Sequence, residues 1–205
     1  MTQREPQVDE QQRSYWAGQA ATFDEEPDHG LGPDEVRAAW RARLREWLPV
    51  ARSDVVDLGC GTGSLAVLAA EDGHRVTGLD FAPAMVERAA EKASDAGVSV
   101  RFLVGDAATP ALPPEAYDVV LVRHVLWALP EPAEVVGRWA ALLRPGGRFV
   151  LVEGEWSTGA GLAQSTVVDL VRPHAREVAV HRLGDPALWG GEVDDDRYVV
   201  LARAT

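Results

Sequence analysis

Lysine occurs once in 205 residues, at Lys92, and the formal net charge is −12. Binding a phosphate backbone draws on clustered Lys and Arg, so this balance argues against a nucleic-acid partner. Cysteine also occurs once, at Cys60. That rules out an internal disulfide and fits a reducing, cytoplasmic setting. No uninterrupted apolar run is long enough to span a bilayer, so no membrane partner is expected. The first thirteen residues are polar, read as a mobile tail, and lack the apolar core of a secretion signal. The five histidines show no ligand spacing, so no metal site is expected. Internal repeats and low-complexity stretches are also missing.

What remains is a composition suited to a globular protein, with 46% hydrophobic and 25% charged residues. The length predicts one domain over 1–205, with a full hydrophobic core. Tyr15 to Phe23 predicts a short helix, and 24–30 an acidic loop. A firmer helix follows, with Pro33 at its first position, Asp34 and Glu35 in the first turn, and one apolar face of Val36, Trp40, Leu44, Trp47 and Leu48. Beyond it, short and nearly continuous apolar runs begin at Val55, Val76, Val100, Val119 and Phe149. Helical patterns separate most of them; only 106–116, with three prolines, reads as loop. Strands buried on both faces read this way, so a mostly parallel sheet with helices on both sides is expected. Residues 162–171 predict a last helix. The runs 176–182 and 198–202 have no helix between them and predict an antiparallel pair at one edge.

The densest signal is Asp57-Leu58-Gly59-Cys60-Gly61-Thr62-Gly63, where a strand turns through glycines into a helix. Such a turn brings a ligand against bare backbone and a helix N-terminus. A turn with no ligand is the plain alternative. A dinucleotide site is another, but its usual spacing is G-x-G-x-x-G, and here the spacing is G-x-G-x-G with an aspartate two residues before. Asp80 ends the next strand, where an acid accepts from ribose hydroxyls; it would equally serve as a helix cap. Asp106 follows the third strand, placed either for an adenine amine or as an ordinary turn residue.

Together these residues resemble the class I S-adenosylmethionine-dependent methyltransferases, nearest their ubiquinone/menaquinone-type small-molecule group. The resemblance rests on 55–63, Gly78-Leu79-Asp80 with Met85, Gly105-Asp106-Ala107, Tyr117-Asp118-Val119-Val120 and Leu143-Arg144-Pro145-Gly146-Gly147-Arg148-Phe149. It covers about residues 50–155. It implies a Rossmann-like seven-stranded sheet with an antiparallel last strand, a core over 33–205, and a tail and helical lid over 1–32. It further implies S-adenosylmethionine as cofactor and a small-molecule acceptor. Its cofactor residues fall on Asp57, Gly59, Cys60 and Gly61 for the methionine part, Asp80 for ribose, and Asp106 with Ala107 for adenine. Phe81 and Met85 would flank the adenine, Arg123 and His124 would lie near the sulfonium, and Tyr15 would close over the cofactor. Ala82 departs from the family, which often has serine there.

The sulfonium methyl is already electrophilic, so a base matters only where the acceptor must lose a proton. His124, after the fourth strand, and His29, in the lid segment, are the candidates; a pocket wall and an exposed loop are their plainer alternatives. Trp16, Phe23, His29, Trp127, Glu153 and Trp156 are expected around the acceptor, although single tryptophans more often pack cores. Two rival functions remain open: a protein that keeps the cofactor without transferring methyl, as a cyclase or partner subunit, and an NAD-dependent oxidoreductase.

Overall fold

A computed structural model describes residues 10–205. Most of the expected tail, 1–9, lies outside the described residues, and its last part opens helix α1, Glu10–Gln19. The predicted acidic loop is instead compact: a single 3-10 turn, Phe23–Glu25, leads into the four-residue helix α2, Pro27–Gly30. Leu31 closes α2 in the left-handed conformation (φ 53°) and is buried.

Helix α3, Asp34–Trp47, buries four of the five residues expected on one face, and the fifth, Leu48, is buried as its C-cap, while Pro33 stands one position earlier than expected, at the N-cap. Its Trp40 is fully buried, and the indole N–H donates to the Leu188 carbonyl at 2.7 Å. Truncating a buried tryptophan to alanine costs roughly 3–5 kcal/mol.

Strands β1 (Asp54–Leu58), β2 (Arg75–Asp80), β3 (Val100–Val104), β4 (Tyr117–Arg123), β5 (Leu143–Glu155), β6 (Ala175–Arg182) and β7 (Asp196–Ala204) form one sheet in the order β3-β2-β1-β4-β5-β7-β6. The pairs from β3 to β5 are parallel. Strand β7 runs antiparallel to both β5 and β6. The seven-stranded, mostly parallel architecture and the antiparallel edge pair agree with expectation. Strand β5 is much longer than its apolar run, because the Arg144–Gly147 turn feeds directly into the ladder with a register shift opposite β4.

Helices α4 (Ser64–Glu71) and α5 (Pro83–Asp95) follow β1 and β2. Helices α6 (Pro132–Leu142) and α7 (Gln164–Val171) flank β5. Two apolar clusters sandwich the sheet. One joins α3 and α4 to Val55, Val76, Val119 and Val150. The other joins α6 and α7 to Val56, Val120, Phe149 and Leu151. Neighbouring strand residues thus alternate between two cores, which is why the strands read as continuous apolar runs.

Order along the sheet reverses between β1 and β4. In open α/β sheets, ligands bind at the carboxyl ends of the strands beside such a reversal. The opposite rim, at the amino ends, is closed by charge. Arg75 makes two hydrogen bonds to Asp54, at 2.5 and 2.8 Å, and Arg144 bridges Asp54 and Asp118 at 2.8 and 3.0 Å.

Candidate active site

A cavity of about 970 Å³ opens at the carboxyl ends of β1 and β4, at the upper end of ligand pockets. Its wall collects the glycine turn, the ends of β2 to β5, and the N-terminal segment.

The glycine turn is held from two sides. The N–H groups of Gly59 and Cys60 donate to the Leu79 carbonyl at 2.7 and 3.0 Å. Gly59 has φ 71°, and a Cβ there would stand 2.5 Å from the Val125 side chain. No other residue type fits that conformation and that close approach. Asp80 is buried and braces the turn as well: one carboxylate oxygen accepts from Gly61 N–H and the other from Ala82 N–H, both at 2.9 Å. Each oxygen retains a second lone pair for a ligand hydroxyl. The cap alternative does not describe this geometry, since Asp80 bonds the N-cap residue itself rather than the first turn of α5.

Asp57, next to last in β1, is buried at the cavity wall. Burial pushes its carboxyl up to about 7; Arg123 opposes the shift, nearby Asp80 adds to it, and the Ala66 N–H in the first turn of α4 opposes it. Burial likewise raises Asp80 and lifts the Cys60 thiol well above its ordinary range, so Cys60 is present as the neutral thiol. Asp106 stands at the rim, where its carboxylate accepts from Ala108 N–H at 2.8 Å in a local turn. The Ala107 carbonyl is fixed by the buried Trp139 indole at 2.7 Å. Phe81 and Met85 complete this side.

Across the reversal lie Arg123, His124, Trp127 and Trp156. The Arg123 guanidinium sits 5.1 Å over Trp40 and donates to the His29 carbonyl at 3.4 Å. His124 has φ 57°, a left-handed conformation uncommon for non-glycine residues. Its ring stacks on Trp189 (5.8 Å, 17°) and meets Trp156 edge-on (5.1 Å, 86°). Burial holds its pKa well below the ordinary histidine value, with Arg123, Arg197 and His29 contributing. The imidazole is therefore neutral. Its buried Nε2 has no hydrogen-bond partner among the described residues.

The N-terminal segment covers the cavity. Phe23 and His29 stack face to face at 4.3 Å, and Trp16 meets Phe23 edge-on. Trp16 and Phe23 pack on Ala82 and Met85 at the start of α5. The single lysine pins this segment down. Lys92 donates to Asp24, Thr62 and Ser64 at 3.0, 3.0 and 2.8 Å, and Thr62 donates to Asp24 at 2.5 Å.

Two expected residues lie elsewhere. Tyr15 is 59% exposed, packs edge-on against Trp16, and is not part of the cavity wall. Glu153 is buried inside β5 rather than at its end, behind the wall. One of its oxygens accepts from Val125 and Leu126 N–H at 3.1 and 2.8 Å, and burial pushes its pKa up to about 8. It braces the loop after β4 from behind. Conversely, Glu26 and Arg197 line the cavity unannounced. The β5–β7 pairing, which sets Arg197 opposite Gly154, brings Arg197 there. That pairing was legible only as an edge pair without register.

Among the described residues, no helix is long and apolar enough to cross a membrane. No group of three or more His, Cys, Asp or Glu side chains there could hold a metal ion.

A mostly parallel sheet with this strand order and a cavity at its reversal defines a Rossmann-like α/β fold. In line with the resemblance drawn from the sequence, residues 56–151 match the methyltransferase domain family. Nocamycin O-methyltransferase of Saccharothrix syringae is 38% identical over 60% of this chain and 47% of its own length. Demethylmenaquinone methyltransferase of Thermus thermophilus is 37% identical over 56% and 53%. The chain thus spans about half the length of the curated relatives it matches. In fold it is similar to the N-methyltransferase NodS of Bradyrhizobium japonicum, solved with S-adenosylhomocysteine (TM-score 0.71, 19% identity, 92% and 98% covered). It is also similar to the [4+2]-cyclase SpnF (TM-score 0.69, 20% identity, 81% and 80% covered).

The family resemblance implies S-adenosylmethionine, and the residues present fit it. The buried Asp57, ionised, would pair with an ammonium group, whose charge would offset the burial that raises its pKa. Asp80 has lone pairs to spare for two hydroxyls. Gly61, whose added Cβ would approach the Phe23 ring to 3.5 Å, leaves a bare backbone cradle beneath the lid.

Proposed function

We propose that the protein transfers a methyl group from S-adenosylmethionine to a small-molecule acceptor, in specialised metabolism. The observation that carries this reading is the convergence of Asp57 and Asp80 on one glycine turn, inside a cavity with room for a second ligand. Similarity to nocamycin O-methyltransferase and to the aklanonic acid methyltransferase of a Streptomyces species supports the specialised setting.

When bound, the donor supplies a methyl group already activated by its sulfonium, ready for in-line displacement. Asp57, Gly59, Cys60 and Gly61 would hold its methionine part, with Arg123 nearby; Asp80 would take the ribose hydroxyls; Asp106 and Ala107, with Phe81 and Met85, would hold the adenine. Residues 10–32 serve as a lid on a single domain: Trp16, Phe23 and His29 exclude water from the reacting groups. His124 serves as an acceptor-side wall residue rather than a base: burial with Arg123, Arg197 and His29 disfavours the imidazolium that a base would become, and its ring is held against Trp156 and Trp189. His29 acts as lid wall, its ring engaged with Phe23.

Calorimetry with S-adenosylhomocysteine tests the donor site: micromolar binding is expected, weakened at least about tenfold in Asp80→Ala. Native protein that fails to bind overturns the reading. Binding without S-adenosylhomocysteine formation across an acceptor panel would favour the cofactor-retaining alternative instead, a fold-mate of which is a [4+2]-cyclase. The family match spans the glycine turn and lends the NAD-dependent alternative no support.

A further inference from the structure

Strand alternation puts Glu153 on the same face of β5 as Leu151, and the antiparallel register sets it opposite Tyr198. Leu151 and Tyr198 belong to the apolar cluster beneath α6 and α7. A fully buried carboxyl on that face costs free energy that a leucine would not. One of its oxygens accepts from two consecutive amides, Val125 and Leu126, at 3.1 and 2.8 Å. The other has no hydrogen-bond partner among the described residues. The Tyr198 phenol is committed to the Leu162 carbonyl at 2.6 Å. Among the described residues, hydrogen bonding therefore ties this carboxyl to the start of the loop after β4. That loop touches both halves of the cavity. On one side the Val125 side chain rests directly on Gly59 of the glycine turn. On the other, Trp127 lines the cavity, donates its indole N–H to the His124 carbonyl at 3.0 Å, and meets Trp156 edge-on at 5.4 Å. The stretch between them is a single 3-10 turn, Leu126–Ala128, closed by the Ala128 N–H on the Val125 carbonyl at 3.0 Å, with Leu126 buried.

Resting on the methyl-transfer reading, we propose that Glu153 is a positioning residue: it pins the loop after β4 so that the donor turn and the acceptor wall move together, and donor binding at the glycine turn sets the place of Trp127. Glu153 is not part of the cavity wall and acts through the loop alone. Without its oxygen, two amides at the root of the loop lose their acceptor, and only movement of the loop or entry of water restores one. The seat of Val125 on Gly59 leaves no slack on the donor side, since even a Cβ on Gly59 would stand 2.5 Å from it. A shift of the glycine turn is thus passed to Val125, and a turn of three residues carries it to Trp127. The coupling runs both ways: an acceptor that fixes Trp127 tightens the hold on the donor.

The test titrates S-adenosylhomocysteine into nitrogen-15-labelled protein and follows the Trp127 indole N–H by nuclear magnetic resonance. In the native protein this signal is expected to move in step with ligand binding. Glu153→Leu should weaken binding by about tenfold, the effect of two orphaned amides at the root of the loop, and cut the Trp127 shift at saturation to less than about half. Glu153→Gln keeps a carbonyl oxygen for the same two amides. It should restore the shift and hold affinity within about twofold of native. Native protein that binds the ligand without moving the Trp127 signal overturns the proposal. So does a folded Glu153→Leu protein with native affinity and a native shift, which would leave Glu153 a role in stability alone. Should Glu153→Leu fail to fold, Val125→Ala decides, because it removes the contact with Gly59 and leaves the buried carboxyl in place: a halved Trp127 shift supports the coupling, and an unchanged one overturns it. Native protein that does not bind S-adenosylhomocysteine overturns the underlying methyl-donor reading, and the binding curve itself tells that failure apart.

Discussion

Asp54 and Asp57 stand three residues apart on β1 and titrate in opposite directions. At the amino rim, Asp54 is held down to about 2, chiefly by its hydrogen bonds from Arg75, with Arg144 adding to the effect. At the carboxyl rim, burial raises Asp57 to about 7, and Arg123 and a helix N–H only partly offset it. One rim is an electrostatically finished surface. The other keeps a buried carboxyl that the protein's own groups only partly offset, which we propose a ligand ammonium completes. Two aspartates on one strand thus separate what supports the fold from what serves the site.

The largest expected effect breaks this contrast at its active end. Asp57→Asn should weaken S-adenosylhomocysteine binding by about a hundredfold, since it removes the carboxylate that faces an ammonium. The native protein should also show a pH signature. Only the ionised carboxylate pairs with the ammonium, so affinity should hold above pH 7 and fall tenfold per unit below it. Titrations between pH 5.5 and 8.5 check both; an equally steep profile in Asp57→Asn would assign the proton elsewhere.

An intermediate effect extends the comparison to the lid. Lys92→Met leaves the half-buried Asp24 without its cation and should cost about 1–3 kcal/mol. Burial pulls the Lys92 ammonium down, and Asp24 opposes that shift. Limited proteolysis should then cut within residues 20–32 several times faster than in the native protein. Unchanged cleavage would mean that the aromatic packing around Phe23 holds the lid by itself.

The smallest effect belongs to the amino rim. Asp54→Asn should cost no more than about 1 kcal/mol, as expected for ion pairs near water, and leave ligand affinity unaltered. Because the folded pKa is depressed, the stabilisation is present above the unfolded value, near 3.9, and is lost as pH falls towards 2. The variant should therefore unfold at slightly higher pH in an acid titration followed by circular dichroism. A loss of affinity in this variant would erase the distinction between the rims.

How legible each rim was in the sequence follows from how local its determinants are. The glycine turn, Asp80 and Asp106 could be read because each lies at a strand end marked by its own apolar run. The Asp54–Arg75–Asp118–Arg144 network could not, although the Asp118 and Arg144 segments carried the resemblance, because it needs strand order. Lys92 meets Asp24 across 68 positions, and no pattern in either segment announces the pairing. Arg197 enters the cavity through antiparallel register, which the turn-rich 184–196 stretch concealed. Glu153 was expected beside the acceptor because the apolar run from Phe149 stops just before it; three further residues of ladder turn it into an interior support. Tyr15 followed Trp16 into the expected lid, but neighbours on a helix point in different directions, and only Trp16 reaches the wall.

The tryptophans also give the molecule an optical property. Trp40 and Trp139 are fully buried, whereas Trp127 at the cavity wall is 38% exposed. Emission from the first two should be blue-shifted and steady, and emission from Trp127 red-edged. A ligand that displaces water from Trp127 and from its fellow wall residues Trp16 and Trp156 moves the red component and leaves the blue one, so the protein carries its own dye for watching an acceptor arrive.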